Sequence, residues 1–140
     1  MIEQREFTKE EFYTILESAP DDESSDLINF TRQIGKLPWE FFQEFGLGQW
    51  GILINGVPTY FVCIYVDEED TYKMWTLRRK NIKEQFTLFK LCKRKLKEYP
   101  LRPIYTNNYA RNKKEARWNM RLGFVPYKVE NDVVFYKLGG

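Results

Sequence analysis

Residues 112–124 constrain the fold more tightly than any other stretch of the chain. Asn112 can cap a helix, and Glu115 three residues on completes a capping box that satisfies the first free amides. Ala116 and Met120 share one face of that helix, with Trp118 and Leu122 on a neighbouring one. Gly123 supplies the left-handed stop, and Phe124 anchors the exit to the core. The local pattern predicts a short helix that leads directly into a strand.

The chain of 140 residues is read as one domain, 1–140, long enough for one core. Its hydrophobic fraction of 43% and aromatic fraction of 17% point to a compact, aromatic-rich globule. No histidine is present, which removes histidine metal ligands and every histidine-activated nucleophile. Cys63 and Cys92 fall in apolar patterns and read as buried free thiols suited to a reducing cytoplasm. No apolar run approaches the roughly 20 residues of a membrane span, and the start carries no signal-peptide pattern. A soluble cytoplasmic protein with no membrane partner is expected.

From the start, Ile2–Phe7 reads as a strand. Thr8 and Glu11 form a second capping box, with Phe7 and Phe12 at staple positions. Residues 21–26 read as an acidic link, a solvated loop running into the next helix. Leu27, Phe30 and Ile34 then repeat at helical spacing until Gly35. Pro38 opens a helix bearing Trp39, Phe41, Phe42 and Phe45, read as core, and Gly46 closes it. Trp50–Ile54, the turn Asn55-Gly56 and Val57–Val66 form a hairpin, and Thr71–Leu77 adds a third strand. The acids at 67–70 read as a turn, because four consecutive carboxylates cannot all aim at one cation.

Asn81 and Glu84 suggest a third capping box, starting a long helix at about Ile82 and ending it near Tyr99 before Pro100. Ile82, Phe86, Phe89, Cys92, Leu96 and Tyr99 would line its apolar face, opposite Lys83, Lys90, Lys93, Arg94 and Lys97. Pro103–Asn107 is a brief strand, and Val125–Val129 with Val133–Leu138 finish the chain as a hairpin around Asn131-Asp132. The net charge of +2 is near neutral and the basic stripe has no aromatic interleaving, so nucleic acid is not an expected partner.

This order of elements, with the 112–124 segment in its place, resembles the GNAT (N-acetyltransferase) superfamily. Asn112, Ala116, Leu122, Gly123 and Phe124 fit the family's helix after the fifth strand. The resemblance implies an α/β fold with a mixed, mostly antiparallel sheet, strands 4 and 5 splayed, and helices on both faces. It also implies acetyl-CoA as cofactor, without a metal, and an amine-bearing acceptor. The cofactor-binding roles would fall to Met74, Trp75, Thr76 and Leu77 through strand backbone. Arg78, Arg79, Lys80, Asn81, Ile82 and Lys83 would serve the pyrophosphate, and Asn112 opens the following helix.

Two departures from the family pattern stand out. Asn81 and Lys83 occupy places where the family loop carries glycines. Asn119 stands where many members have a proton-donating tyrosine, which leaves Tyr72 and Tyr105 as replacement catalytic candidates. A narrower resemblance is to small GNAT-like proteins of tailed bacteriophages, including internal virion proteins. These share the lysine-rich helix, the glycine-poor loop and a diglycine terminus like Gly139-Gly140. Such a protein would act in host cytoplasm or in the virion. Two alternatives follow from the resemblance: an acetyl-CoA-dependent N-acyltransferase, or a non-catalytic module that serves in the virion or binds a host protein.

Overall fold

The computed structural model describes residues 1–139, so Gly140 of the terminal diglycine lies outside the described residues. The elements run β1 (Ile2–Arg5), α1 (Lys9–Ser18), α2 (Asp21–Gln33), α3 (Pro38–Phe45), β2 (Gly46–Ile54), β3 (Val57–Val66) and β4 (Tyr72–Arg78). They continue with α4 (Gln85–Glu98), β5 (Ile104–Tyr109), α5 (Lys113–Arg121), β6 (Val125–Glu130) and β7 (Val133–Leu138). The hydrogen-bonded strand order is β1-β2-β3-β4-β5-β7-β6, a mixed sheet that is antiparallel except for β4 and β5. The expected fold class holds. The chain packs as two compact units, residues 1–66 with 75–83, and residues 67–74 with 84–140.

The first unit is built on a hairpin. Asn55 and Gly56 both take positive φ, 51° and 78°, which matches the twist of the flanking strands and pairs Ile54 with Val57. Leu53, Phe61, Cys63 and Tyr65 belong to one buried cluster with Phe12, Ile15 and Leu16 of α1, Leu27 of α2, and Phe41 and Phe42 of α3. Phe12 is fully buried, with Tyr13, Trp39, Phe42 and Phe61 rings at 5.0–5.8 Å between centroids. Of the aromatics expected as core on α3, Phe41 and Phe42 are buried, and Trp39 and Phe45 pack half-buried against them. Burial pushes the Cys63 thiol up to about 12, which leaves it inert at neutral pH.

Thr8 and Glu11 form the expected capping box of α1, and the staple residues Phe7 and Phe12 are both buried. Glu11 also receives two hydrogen bonds from Arg5, and that guanidinium holds its carboxyl down at about 2, against an ordinary 4.5. A carboxyl depressed on folding stabilises above its unfolded pKa and loses that contribution as pH falls through its folded one. Stability should therefore decline between pH 4.5 and 2 by about 1 kcal/mol from this group, a small value because both side chains meet solvent. Glu11→Gln should flatten that part of the acid-melting profile.

Residues 21–26, read as a solvated loop and the start of the next helix, contain no loop. They are the first two turns of α2, capped by Pro20 without a side-chain bond. Asp21, Asp22 and Glu23 favour a helix start because their charges meet the positive end of the dipole.

In the second unit, Asn131 (φ 52°) and Asp132 (φ 63°) turn β6 into β7. All six residues of β6 are exposed, and a bulge interrupts its pairing between Pro126 and Lys128. At the acidic turn, Asp67 accepts hydrogen bonds from the Glu69 and Thr71 amides, and Lys73 lies 3.1 Å from it. Its carboxylate is thus spent on the turn. Among the described residues no cluster of carboxylates or thiols could hold a metal ion.

Candidate functional site: strand β4 and the segment after it

The parallel ladder between β4 and β5 covers two residue pairs, Tyr72 with Ile104 and Lys73 with Tyr105. The next contact is a side-chain bond, from Thr106 Oγ1 to the Met74 carbonyl at 3.4 Å. Along the other edge of β4, the Arg79 amide donates to the Thr59 carbonyl of β3 at 3.0 Å. Alternation along a strand then turns the N–H and C=O of Thr76 and Arg78 to the edge away from β3. The side chains of this strand serve the interior: Leu77 is fully buried, Met74 is buried, and Trp75 stacks on Phe30 at 5.3 Å.

The following segment is less open than its charge suggests. Arg78 lies 3.9 Å from Glu23, and Lys80 lies 3.6 Å from Asp21 and donates its amide to Ser18 O. The acidic start of α2 therefore holds two of the four cations. Arg79 is different. Its Nε is buried and, with Trp50 Nε1, is one of two buried side-chain nitrogens without a hydrogen-bond partner among the described residues. Asn81 takes φ 58°, the left-handed conformation for which glycine is otherwise used.

That conformation also overturns the expected capping box. Asn81 lies in a left-handed turn three residues before the cap position, and α4 starts at Gln85 with Glu84 as its N-cap and no side-chain cap bond. The apolar face shifts with the start. Leu88, Cys92 and Leu96 are buried, whereas Phe86, expected on that face, is 70% exposed with Lys90 Nζ 4.8 Å from its ring.

No protein-family model matches the chain, and no curated protein matches it by sequence. Solved structures do match by shape. The PaiA N-acetyltransferase of Thermoplasma acidophilum, in complex with coenzyme A, superposes with a TM-score of 0.72 at 13% identity, over 100% of this chain and 99% of that one. The ribosomal-protein-S18-alanine N-acetyltransferase of Escherichia coli gives 0.66 at 12%, over 99% and 93%. The Campylobacter jejuni N-acetyltransferase PseH, in complex with acetyl coenzyme A, gives 0.63 at 12%, over 99% and 99%. This chain has the GNAT N-acetyltransferase fold.

Within the GNAT fold the remaining sequence candidates separate. Asn112 caps α5, its side chain accepting from the Glu115 amide at 3.1 Å. Tyr72 and Tyr105 are half-buried, and the register sends them to opposite faces, since Tyr72 lies across from Ile104 and Tyr105 is the next residue. They cannot act on one atom together. Tyr105 instead meets Tyr127 edge-on at 5.9 Å.

Asn119 has a structural job. It is 1% exposed, and its Nδ2 donates 3.0 Å to Oδ1 of buried Asn108, whose own Nδ2 donates to Tyr109 O. Tyr136 is buried alongside, and desolvation pushes its hydroxyl pKa up although Asn108 bonds to it. The polar bridge ties α5 to β5 inside the core. Asn119→Ala should cost about 1–3 kcal/mol in urea unfolding by orphaning Asn108 Oδ1, a buried acceptor. Sequence patterning singled out Asn119 but missed Asn108, because a buried amide on a strand leaves no periodic signal.

Proposed function

We propose that the chain binds acetyl-CoA along the β4 edge that carries the Thr76 and Arg78 backbone groups, with the pyrophosphate against residues 79–83, and transfers the acetyl group to an amine. The observation that carries the reading is Arg79 Nε, a buried cationic donor with nothing to donate to. A guanidinium suits phosphate better than an ammonium does, because its planar fork can meet two oxygens. Asn81 at φ 58° supports it by giving the glycine-poor segment a glycine-like bend. Two of the three structures named above carry coenzyme A or acetyl coenzyme A.

The cofactor would supply an activated acyl thioester. The chain's own part is positioning and the exclusion of water, with strand amides set to stabilise developing negative charge. Asn119 contributes no proton, being amide in chemistry and already bonded to Asn108. That same observation favours a second reading, a GNAT-fold module without catalysis. The bacteriophage resemblance gives such a module a setting, as an internal virion protein or a binder of a host protein.

Calorimetric titration with acetyl-CoA tests the first reading, with an expected Kd of about 1–100 μM, the range usual for enzyme substrates. Arg79→Gln should weaken binding about tenfold or more, as loss of a charged hydrogen bond implies. No heat at millimolar ligand would remove the cofactor from the account. Binding without release of free coenzyme A thiol, across a panel of amines, would leave the non-catalytic module.

A further inference from the structure

The near-neutral total charge conceals a segregation. Residues 84–140 carry thirteen Lys and Arg against five Asp and Glu, a net of +8, whereas residues 1–83 carry nine against fifteen, a net of −6. Within residues 84–140 the excess sits on α4 and α5, which touch through Phe89 and Trp118, their rings edge-on at 5.9 Å. α4 exposes Lys93, Arg94 and Lys97, and α5 exposes Lys114, Arg117 and Arg121. None of these six is in an ion pair among the described residues. The carboxylates of the two helices are Glu98, in the last turn of α4, and Glu115, which is buried.

We propose that this helical face binds the phosphate backbone of a nucleic-acid duplex without reading its sequence. Cations held on two packed helices form one field, and unpaired lysines and arginines gain by displacing the counterions of a polyanion. Lys90 to Lys97 span about 10 Å of helix axis, a length over which a duplex presents about six phosphate charges. A single strand is disfavoured by the lack of stacking surfaces. Phe86 is the one exposed aromatic on either helix, and Lys90 already lies over its ring. A membrane is disfavoured because Leu88, Cys92 and Leu96 of α4 face inward, which leaves Phe86 as the single exposed large apolar side chain of that helix. The proposal is independent of the cofactor reading.

Fluorescence anisotropy with a mixed-sequence DNA duplex of about 20 base pairs tests it. Log affinity should fall against log salt with a slope near −4, about 250-fold between 50 and 200 mM. Lys93→Glu with Arg94→Glu and Arg117→Glu should weaken binding at 50 mM by about 30-fold or more and reduce the slope by about 3. Lys9→Glu with Arg32→Glu, in the first unit, should leave affinity within about twofold. If the triple variant does not melt like the parent, Lys93→Ala with Arg94→Ala replaces it, with about tenfold weakening expected. No binding at 50 mM, unchanged affinity in the variants, tighter binding to the single strand, or tighter binding to phosphatidylserine vesicles at equal ionic strength would each overturn the proposal.

Discussion

Phe12→Ala is expected to cost about 3–5 kcal/mol, enough to lower the melting temperature by roughly 10–15 °C in a chain of this length. The ring is fully buried and sits among four others, from α1, α3 and β3. Truncation would lose both its transfer free energy and the edge-on contacts with Tyr13, Phe42 and Phe61. Three rigid elements surround the vacancy, so collapse to fill it would be partial. Paired urea and calorimetric melts would check the value. A loss under about 1 kcal/mol would show that the first unit is not organised around this side chain.

Gly46→Ala should destabilise by about 1–3 kcal/mol, a large effect for one methyl group. Helix α3 ends at Phe45 and strand β2 begins at Gly46, with no residue between them. The backbone at Gly46 is ordinary, φ −71°, so the reason is space rather than dihedral strain. A Cβ there would stand 2.2 Å from the Phe42 carbonyl oxygen, the same oxygen that accepts the Gly46 amide, and 3.2 Å from Cys63 Sγ. A helix carbonyl cannot swing aside as a side-chain tip can. The last turn of α3 would have to open, which amide exchange at Phe45 and Gly46 would report as lost protection.

Much of this architecture was legible in the residues, for local reasons. Asn55-Gly56 dictates a primed turn, Thr8 with Glu11 dictates a helix start, and Asn112 accepts the Glu115 amide, one half of the box read there, while its own amide donates to Tyr109 O. The failures are equally physical. Asn81 has the composition of a cap but the dihedrals of a turn, so α4 begins three residues late and Phe86 is left outside. Residues 21–26 look like a linker in composition, yet their acids stabilise a helix start and pair with Arg78 and Lys80 across a long sequence separation. The segment 78–83 stands out in the residues by its charge alone. That Arg79 alone among its arginines would keep a buried donor free depends on Glu23 and Asp21, which no local pattern could supply. A single net charge likewise averaged away the division between an acidic first half and a basic second half.

One border of the sheet remains to be considered for what happens in concentrated solution. A stranger chain approaching β6 would find no amide hydrogen at Pro126, a misaligned step just beyond it, and an ammonium at Lys128. Each spoils the regular comb of hydrogen bonds that fibril growth copies from molecule to molecule. The exposed Val125, Tyr127 and Val129 therefore sit on a strand built to resist being a template, and the protein should stay dispersed where a flatter border would seed precipitation.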